Sequence, residues 1–434
     1  MRRAAFALMA GMALAAASCA PSRPNADGGA DPGLAAEIRQ IKAIDNHAHP
    51  VRYVPPGQPP DRGFDALPVD SMEAESDPVA QRPGSPLIAE AHRALYGSQS
   101  KAQAMAARGD GYPAWVLDQC GIETMIANRV EMGPSIQPPR FRWVGYVDAL
   151  IFPLDNSRLA ARTPDRKGFF ALEDQLRARY LQAAGLPQIP PALADYLARV
   201  VTPTLERHKQ GGAIAEKFEA AYLRSLAFDP VDETTASRIY ARFAGGHAGA
   251  APEEAEYKPL QDFLFRYIAA ECGRLGMAVH FHTMAGAGGY FDVAGANPLN
   301  LESVLNDPGL RKTRFVMLHG GWPFIREIAA LLAKPNAYLD FSQQSLMLPP
   351  ATLAGNLREW LELNPEKVLF ATDAYPYSEE VGWEESAWAA SKNGREALGI
   401  ALTAMLRDGE ITRSRASELA RMVLRENARA LYGL

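Results

Sequence analysis

Short apolar runs alternate with longer helical patterns along most of the chain. Between the later runs, apolar residues recur at i, i+3, i+4 and i+7, as in 260–268 and 325–332, which predicts amphipathic helices. Strands that alternate with helices predict βαβ units and a parallel sheet. The predicted strands are Ala43–Asn46, Ile122–Asn128, Val144–Ile151, Ala213–Lys217, Met277–Thr283, Phe315–His319, Ala337–Phe341 and Val368–Thr372.

Eight such strands fit an α/β fold of the (β/α)8 or TIM-barrel type. A doubly wound open sheet would alternate in the same way, but no G-x-G-x-x-G follows the first strand. Residues 34–434 exceed the roughly 250 residues of a plain barrel. We place the surplus in helical insertions at about 50–110 and 168–208. Because each insertion follows a strand, it is expected at the C-terminal mouth of the barrel, where substrate walls form.

The N-terminus has the pattern of an export signal. Arg2 and Arg3 precede an apolar stretch that ends in small residues and Cys19, and the stretch is too short to span a bilayer comfortably. The sequence 16–19 resembles the lipobox of bacterial lipoproteins, except that Ala16 stands where Leu is usual. We therefore predict a lipoprotein-type signal peptide at 1–19 and a flexible tether at 20–33; ordinary cleavage nearby, for instance after Ala20, stays open.

Composition narrows the classes of partner. The 434 residues are 47% hydrophobic and 22% charged, which excludes a disordered protein and a disulfide-stapled mini-domain. The net charge of −5 gives no indication of the basic surface that binding to nucleic-acid phosphates requires. We expect a small-molecule substrate and contact with the membrane only through the lipid anchor. The expected location is periplasmic or tethered to the membrane of a bacterium. A homo-oligomer is possible. Cys120 and Cys272 lack zinc-site spacing and are predicted as buried thiols, with a single disulfide as the alternative.

Histidines and one aspartate mark the ends of four predicted strands. His47 and His49 close the first strand, His282 the fifth, His319 the sixth and Asp373 the eighth. Side chains two apart in a strand share a face, so His47 and His49 are expected to point the same way. Parallel strands bring all these groups to one rim. Without a bound metal ion, these polar side chains at one end of the barrel would lack partners, which is unfavourable for buried groups.

These residues resemble the metal-dependent amidohydrolase superfamily, in particular its amidohydrolase-related branch, and the ending 426–433 is also similar to that branch. The resemblance covers residues 44–434 and implies a TIM-barrel metallohydrolase. It implies that His47, His49, His282 and Asp373 bind Zn²⁺. His280 lies deeper on the same strand as His282 and is expected to be a barrel-layer residue behind the ligands.

The same resemblance leaves the metal count at one or two divalent ions. In a one-metal site His319 would polarise the substrate or hold the water, and in a two-metal site it becomes a ligand. Lys217 ends the fourth strand, where binuclear relatives place a carboxylated lysine that bridges two metals; the alternatives are a lysine on the other face or one that contacts an anionic substrate. Tyr222 and Arg224 are candidates for a substrate carboxylate. The other histidines (His92, His208, His247) are expected at the surface.

The expected activity is metal-dependent hydrolysis. Zn²⁺ lowers the pKa of a bound water toward about 7, and Asp373 and His319 are the expected catalytic residues, Asp373 as the proton acceptor. The expected target is a C–N bond (an amide, cyclic amide or peptide-like bond) or a lactone. One alternative is a decarboxylase that uses the same site, and another is a non-catalytic binding lipoprotein.

Overall fold

The computed structural model describes residues 29–55, 57–68, 78–82, 84–244 and 251–434. The predicted signal peptide with Cys19 and most of the tether, as well as His247, lie outside the described residues. Within the described ranges, no helix has both the length and the apolar character needed to cross a bilayer. Cys120 and Cys272 are both buried, free thiols.

Eight parallel strands form the barrel, and each pairs with the next in chain order. Backbone hydrogen bonds join the last strand to the first: Asn46 N–H donates to Phe370 O (2.9 Å) and Asp373 N–H to His47 O (2.8 Å). The (β/α)8 prediction is confirmed. The strands are β1 Ala43–Ala48, β2 Ile122–Asn128, β3 Phe141–Tyr146, β4 Ala213–Phe218, β5 Ala278–His282, β6 Phe315–Leu318, β7 Ala337–Asp340 and β8 Val368–Leu369.

The third strand was predicted wrongly. It covers Phe141–Tyr146, and the apolar run that follows forms a short helix, Asp148–Ile151, instead of the end of a strand. All four residues of that helix are buried, so their hydrophobicity carries no period that could separate a strand from a helix. A tertiary contact anchors the turn: Asp148 Oδ2 accepts a hydrogen bond from Glu219 N–H (2.7 Å) beyond β4.

Helices surround the barrel and fill the long connections between strands. In the described residues they are α1 Pro32–Gln40, α2 Pro86–Tyr96, α3 Lys101–Arg108, α4 Tyr112–Cys120, α5 Asp148–Ile151, α6 Ser157–Ala160, α7 Pro164–Ala183, α8 Leu193–Tyr196, α9 Thr202–Gln210, α10 Glu233–Ala244, α11 Glu254–Leu275, α12 Glu302–Leu305, α13 Ile325–Leu331, α14 Gln344–Met347, α15 Pro350–Leu363, α16 Trp383–Arg407, α17 Arg413–Arg421 and α18 Asn427–Tyr432.

Two apolar layers hold this arrangement together. A large cluster lies between the strands and the surrounding helices. A smaller one fills the inside of the barrel and includes Ile44, Val144 and Val316 from the strands, together with Ala428 and Leu431 from α18. The C-terminal helix therefore plugs one end of the barrel, and the polar strand ends are left at the other. A packed interior of this kind is what a closed eight-stranded barrel requires.

A buried polar cluster ties the first long connection to the barrel. Lys101 Nζ on α3 donates hydrogen bonds to Glu384 Oε2 (2.6 Å) and Glu385 Oε2 (3.0 Å) on α16. Tyr96 on α2 donates to Glu385 Oε1 (2.6 Å). Both glutamates are almost fully buried. Burial raises the pKa of Glu384, whereas the two carboxylates raise the pKa of Lys101 above its usual value despite its burial.

Lys101→Met is expected to lower the free energy of unfolding by about 2 kcal/mol, because it leaves two buried carboxylates without their cation. The figure lies below the usual range for a buried pair, since a quarter of the lysine side chain is exposed. Urea unfolding of the two proteins measures the difference. Lys392→Met is the matched control: it pairs with Glu90, and the two side chains are 39% and 44% exposed, so it should change stability by less than about 1 kcal/mol. Equal effects of the two variants would contradict the assignment.

Candidate functional site

All six predicted site residues line one cavity at the carboxyl ends of the strands. The cavity opens to solvent and, with its open mouth included, measures about 550 Å³. Its wall includes His47, His49, Lys217, His282, His319 and Asp373. These groups come from β1, β4 and β5 and from the segments that follow β1, β6 and β8. The structure thus brings together residues that lie more than three hundred positions apart in the sequence.

Three of the six converge tightly. His47 Nε2 lies 3.1 Å and His49 Nε2 3.5 Å from the same carboxylate oxygen, Asp373 Oδ1. One ligand atom from each residue lies within 4.8 Å of the other two, a spacing that can hold a metal ion. All three residues are buried. This triad is the candidate metal centre.

The chemistry of the triad fits a divalent cation. His47 Nε2 is buried and has no hydrogen-bond partner in the described part of the chain. A polar atom left in that state is costly unless a ligand satisfies it. Burial keeps the pKa of His47 well below its usual value and lowers that of His49 to about 4, so both imidazoles are neutral at pH 7. His47 Nδ1 lies 2.6 Å from the side-chain amide of Asn128, whose Oδ1 has no hydrogen-bond partner in the described residues. With that oxygen turned to the ring, Nδ1–H donates to it and the lone pair of His47 is on Nε2.

Backbone contact sets the tautomer of His49. Its Nδ1 lies 3.1 Å from the carbonyl oxygen of Phe64, which can only accept a hydrogen bond. The proton of the neutral ring therefore sits on Nδ1, and Nε2 is left with the lone pair that faces Asp373. Such an outer hydrogen bond is typical of metal-binding histidines. Phe64 belongs to the long connection after β1, so that connection helps to orient the ring of His49.

Asp373 combines an unusual backbone with an unusual carboxyl group. Its φ of 55° lies in the left-handed region, which non-glycine residues rarely adopt. Its N–H donates to His47 O, so the strained residue is fixed directly to the strand that carries the two histidines. Burial raises the pKa of Asp373 to about 8, although the Lys217 charge acts in the opposite direction. A bound divalent cation would favour its carboxylate form.

His319 is held by a hydroxyl and a carboxylate behind it. Ser342 Oγ donates to Asp340 Oδ1 (2.5 Å) and lies 2.8 Å from His319 Nδ1. Because the hydroxyl proton is directed to the carboxylate, the oxygen accepts from His319 Nδ1–H, and Nε2 keeps the lone pair. In its neutral form His319 is therefore a ligand or a proton acceptor at Nε2 and does not donate there.

The support of His319 continues through the barrel to the C-terminal helix. Asp340 Oδ2 accepts from Asn46 Nδ2 (2.7 Å), and Asn46 Oδ1 accepts from the hydroxyl of Tyr432 (2.6 Å) on α18. The same hydroxyl lies 2.7 Å from His280 Nε2. His280 therefore lies deeper than His282 and contacts the plug of the barrel. The similarity of the C-terminal sequence thus corresponds to a segment that reaches the polar network of the site.

His282 and Lys217 line the cavity without joining the triad. His282 Nε2 lies 2.9 Å from the carbonyl oxygen of Met284, so its proton is on Nε2 and Nδ1 has the lone pair. Its ring lies 4.6 Å from that of His319, centroid to centroid. Lys217 is only 1% exposed. Burial is the main cause that lowers the pKa of each cavity histidine, and the Lys217 charge lowers it further; the same charge opposes the rise in the pKa of Asp373 that burial causes. Both His282 and Lys217 lie in the same cavity wall as the triad.

A glycine permits the sharp turn after β6. Gly320 follows His319 with a φ of 57°, a conformation that side chains disfavour. A Cβ atom there would lie 2.6 Å from both Gln344 Nε2 and the Trp360 ring. The His-Gly-Gly sequence thus lets the chain leave the strand abruptly while His319 stays in the cavity wall.

Sequence reasoning missed three polar residues of the cavity wall: Asp65, Glu219 and Gln343. Asp65 lies in a proline-rich segment whose pattern offers no signal. Glu219 lies two positions after Lys217, so the alternation of strand faces could have found it. Gln343 follows the end of β7, which is the kind of position that identified the histidines. Burial raises the pKa of Glu219 well above its usual value, and its Oε2 has no partner within the described ranges.

Several other expectations turn out differently. His208 was expected at the surface, but it is buried and its Nδ1 lies 3.0 Å from Glu216 Oε1. Arg224 was a candidate for a substrate carboxylate; it is instead buried and paired with Asp262 Oδ1 (2.6 Å). Tyr222 does line the cavity. These differences depend on tertiary pairing that the local sequence does not encode.

Comparison with known proteins was made on sequence and on structure. The sequence model of the amidohydrolase family matches residues 192–434, which is more than half of the chain. Protein fluG of Emericella nidulans is 28% identical over 222 residues, a stretch that covers 49% of this chain and 25% of fluG. This chain therefore spans about a quarter of the length of the curated relative that it matches.

Solved structures share the fold. A candidate metal-dependent hydrolase from Lactobacillus casei superposes with a TM-score of 0.60 at 15% identity, covering 92% of this chain and 97% of its own. Glucuronate isomerase from Caulobacter crescentus superposes with a TM-score of 0.61 at 12% identity, covering 92% and 93%. At such identities these similarities concern the barrel alone. The match of the family model over strands β4–β8, together with histidines and an aspartate at the strand ends of a (β/α)8 barrel, shows that this chain belongs to the amidohydrolase family.

Proposed function

We propose that this protein is a metal-dependent hydrolase that directs an activated water at a C–N bond (an amide, cyclic amide or peptide-like bond) or at a lactone. The observation that carries the proposal is the convergence of His47 Nε2 and His49 Nε2 on Asp373 Oδ1, with one of the two nitrogens buried and unpartnered in the described residues. Zn²⁺ is the proposed cofactor, because two imidazoles and one carboxylate are ligands that suit it.

The residues of the triad, together with His319 and Lys217, have separate roles in the proposed reaction. When bound, the divalent ion supplies Lewis acidity and lowers the pKa of water. Asp373 accepts the proton of the attacking water and returns it to the leaving group. His319 lies beside Asp373, with its Nδ1 3.7 Å from Asp373 Oδ2, and the lone pair on its Nε2 is a second acceptor in the cavity wall. Lys217 contributes a positive charge to the wall, where it favours an anionic transition state or substrate group. In a two-metal form, carboxylated Lys217, His282 and His319 would complete the second site.

Metal content and water incorporation test this proposal together. Purified protein is expected to hold about one or two zinc ions per chain, and a library of amides, dipeptides and lactones in ¹⁸O-labelled water should yield a product that carries the label. Release of carbon dioxide without label would favour the decarboxylase alternative. Absence of stoichiometric metal would favour a binding protein.

Removing one histidine of the triad should remove the metal. His49→Ala is expected to weaken zinc binding by more than about 100-fold, because losing even an outer hydrogen bond of a ligand costs 10- to 100-fold. Competition with a chromogenic chelator measures the affinity. His92→Ala is the matched control, since His92 is half-exposed and contacts Glu380 O outside the cavity. Unchanged zinc affinity in His49→Ala would contradict the proposed centre.

A further inference from the structure

Gln343 occupies a strained turn in the wall of the cavity. Its φ of 59° and ψ of −46°, with a hydrogen bond from Gln344 N–H to Ser342 O (2.6 Å), define a classic γ-turn. This turn is rare and strained for a residue with a side chain, whereas glycine adopts positive φ freely. Strain of this kind persists where the surroundings impose it, and it concentrates at functional sites.

The surroundings of Gln343 do impose the turn. On one side Ser342 is fixed by Asp340 and His319, as described above. On the other side Gln344 Nε2 donates to His319 O (2.7 Å), and Gln344 Oε1 accepts from Asn356 Nδ2 (2.9 Å). The two residues that flank Gln343 therefore both contact His319 and belong to the frame of the site. The carbonyl of Gln343 accepts hydrogen bonds from Leu346 N–H (3.0 Å) and Met347 N–H (2.8 Å) of α14. Its side chain lines the cavity.

The side chain of Gln343 is oriented for donation. The hydroxyl of Tyr377 donates to Gln343 Oε1 (2.7 Å), which assigns the carbonyl end of the amide. The NH₂ end has no hydrogen-bond partner in the part of the chain that the structure describes. It faces a cavity whose lining contains a single cationic side chain among the described residues, that of Lys217.

Other strained residues support a functional reading of this turn. In the described chain the non-glycine residues with positive φ are Ser135, His319, Gln343 and Asp373. The last three all line the cavity, whereas Ser135 does not. Two of those three are the proposed catalytic residues, and Gln343 is the one that the proposed function leaves without a role.

We propose that Gln343 is a substrate-binding residue: its amide N–H donates a hydrogen bond to an acceptor oxygen of the substrate, a carboxylate or an amide carbonyl, at a position next to the metal centre. This inference rests on the proposed function, because it assumes that the substrate binds in the same cavity. It makes Gln343 a determinant of substrate specificity, and it gives the strained γ-turn a purpose that glycine at this position would not serve.

Unfolding of the zinc-free protein tests the strain without any ligand. Gln343→Gly and Gln343→Ala both remove the side-chain amide, but only glycine relieves the positive φ. The urea midpoint of Gln343→Gly is therefore expected to exceed that of Gln343→Ala, although glycine also loosens the unfolded chain. The pair Ser135→Gly and Ser135→Ala calibrates the same comparison outside the cavity. If the urea midpoint of Gln343→Gly is equal to or below that of Gln343→Ala, the turn at Gln343 is not strained. This result does not depend on whether the protein binds zinc.

Binding of three hydroxamates to the zinc-loaded protein tests the hydrogen bond. The probes are the monohydroxamate of succinic acid, its terminal carboxamide analogue and butanohydroxamate, which share a zinc-binding group and differ in their far end. Gln343→Ala is expected to weaken the two probes with an acceptor oxygen by about 3- to 10-fold and to leave butanohydroxamate within about twofold. The probe of these two that loses more affinity shows whether the side chain of Gln343 prefers a carboxylate or an amide carbonyl as its acceptor.

Two further variants keep the test decisive. Gln343→Glu retains the size of the side chain but lacks the donor, so it should weaken the acceptor-bearing probes at least as much as Gln343→Ala. Tyr377→Phe removes the group that orients the amide and should produce a smaller loss for the same probes. Equal changes for all three probes, or none, would overturn the role of Gln343. Failure of butanohydroxamate to bind the zinc-loaded wild-type protein would instead count against the proposed function.

Discussion

Asp373→Asn is expected to reduce turnover at least about 10³-fold while the protein remains folded. The substitution removes the carboxylate that serves as proton acceptor, a role worth about 10²- to 10⁴-fold in rate, and it also removes an anionic ligand from the metal centre. The steady-state rate on any substrate found in the library measures the loss. Turnover similar to that of the wild-type protein would refute the proposed mechanism.

The fold should tolerate this change. Asn has nearly the same shape as Asp and adopts positive φ more readily than most residues, as the φ of 55° requires. Because burial raises the pKa of Asp373 to about 8, this carboxyl group is mostly protonated at pH 7 in the zinc-free protein. Replacing it with a neutral amide should therefore change the free energy of unfolding by less than about 1 kcal/mol. Asp118→Asn is a control at the surface, where its carboxylate is 60% exposed; its activity should stay within about twofold of wild type.

Asp340→Ala is expected to lower the free energy of unfolding by about 4 kcal/mol. Asp340 is fully buried and accepts hydrogen bonds from Asn46 Nδ2, the His319 N–H, and both the N–H and the hydroxyl of Ser342. Its removal leaves these buried donors without an acceptor, and each unsatisfied group costs about 1–3 kcal/mol, with the sum reduced by relaxation. Urea unfolding of the zinc-free protein gives the difference.

A second variant separates the stability of this network from its effect on the site. Ser342→Ala removes only the hydroxyl that connects Asp340 to the ring of His319, while the backbone N–H groups of Ser342 and His319 still donate to Asp340. It should therefore cost about 1 kcal/mol of stability. It should nevertheless release the tautomer of His319, which ¹⁵N chemical shifts of the ring nitrogens report. An Asp340→Ala protein as stable as Ser342→Ala would show that Asp340 does not organise this end of the barrel.

The strand-end histidines illustrate what local sequence can predict. The first strand ends in His-x-His, and polar residues also stand at the ends of β5, β6 and β8. Because the strands of the barrel are parallel, these side chains all lie at the same rim, and this could be predicted without the structure. The structure places all six predicted residues in one cavity. Asp65 was missed because it lies in an irregular connection, which has no signature in a hydrophobic pattern. Gln343 follows the end of β7, but the γ-turn that holds it in the cavity wall has no such signature either.

The third strand and His208 show the opposite case. The run 147–151 is apolar at nearly every position, and such a run is compatible with a buried strand or a buried helix. His208 lies on α9 and looks like a surface residue until Glu216 of β4 is known to face it. Both outcomes depend on which neighbour lies across the interface, and that neighbour is distant in sequence.

The order of strands and helices, the number of strands and the set of cavity histidines follow from the sequence by itself, because hydrophobic periodicity and strand direction are local properties. Only the tertiary structure decided which of those groups meet as a triad, which nitrogen of His49 and His319 keeps its lone pair, and where the backbone is strained. Those features arise from hydrogen bonds between segments such as Phe64 with His49 and Ser342 with His319. Their geometry exists only after the barrel has closed.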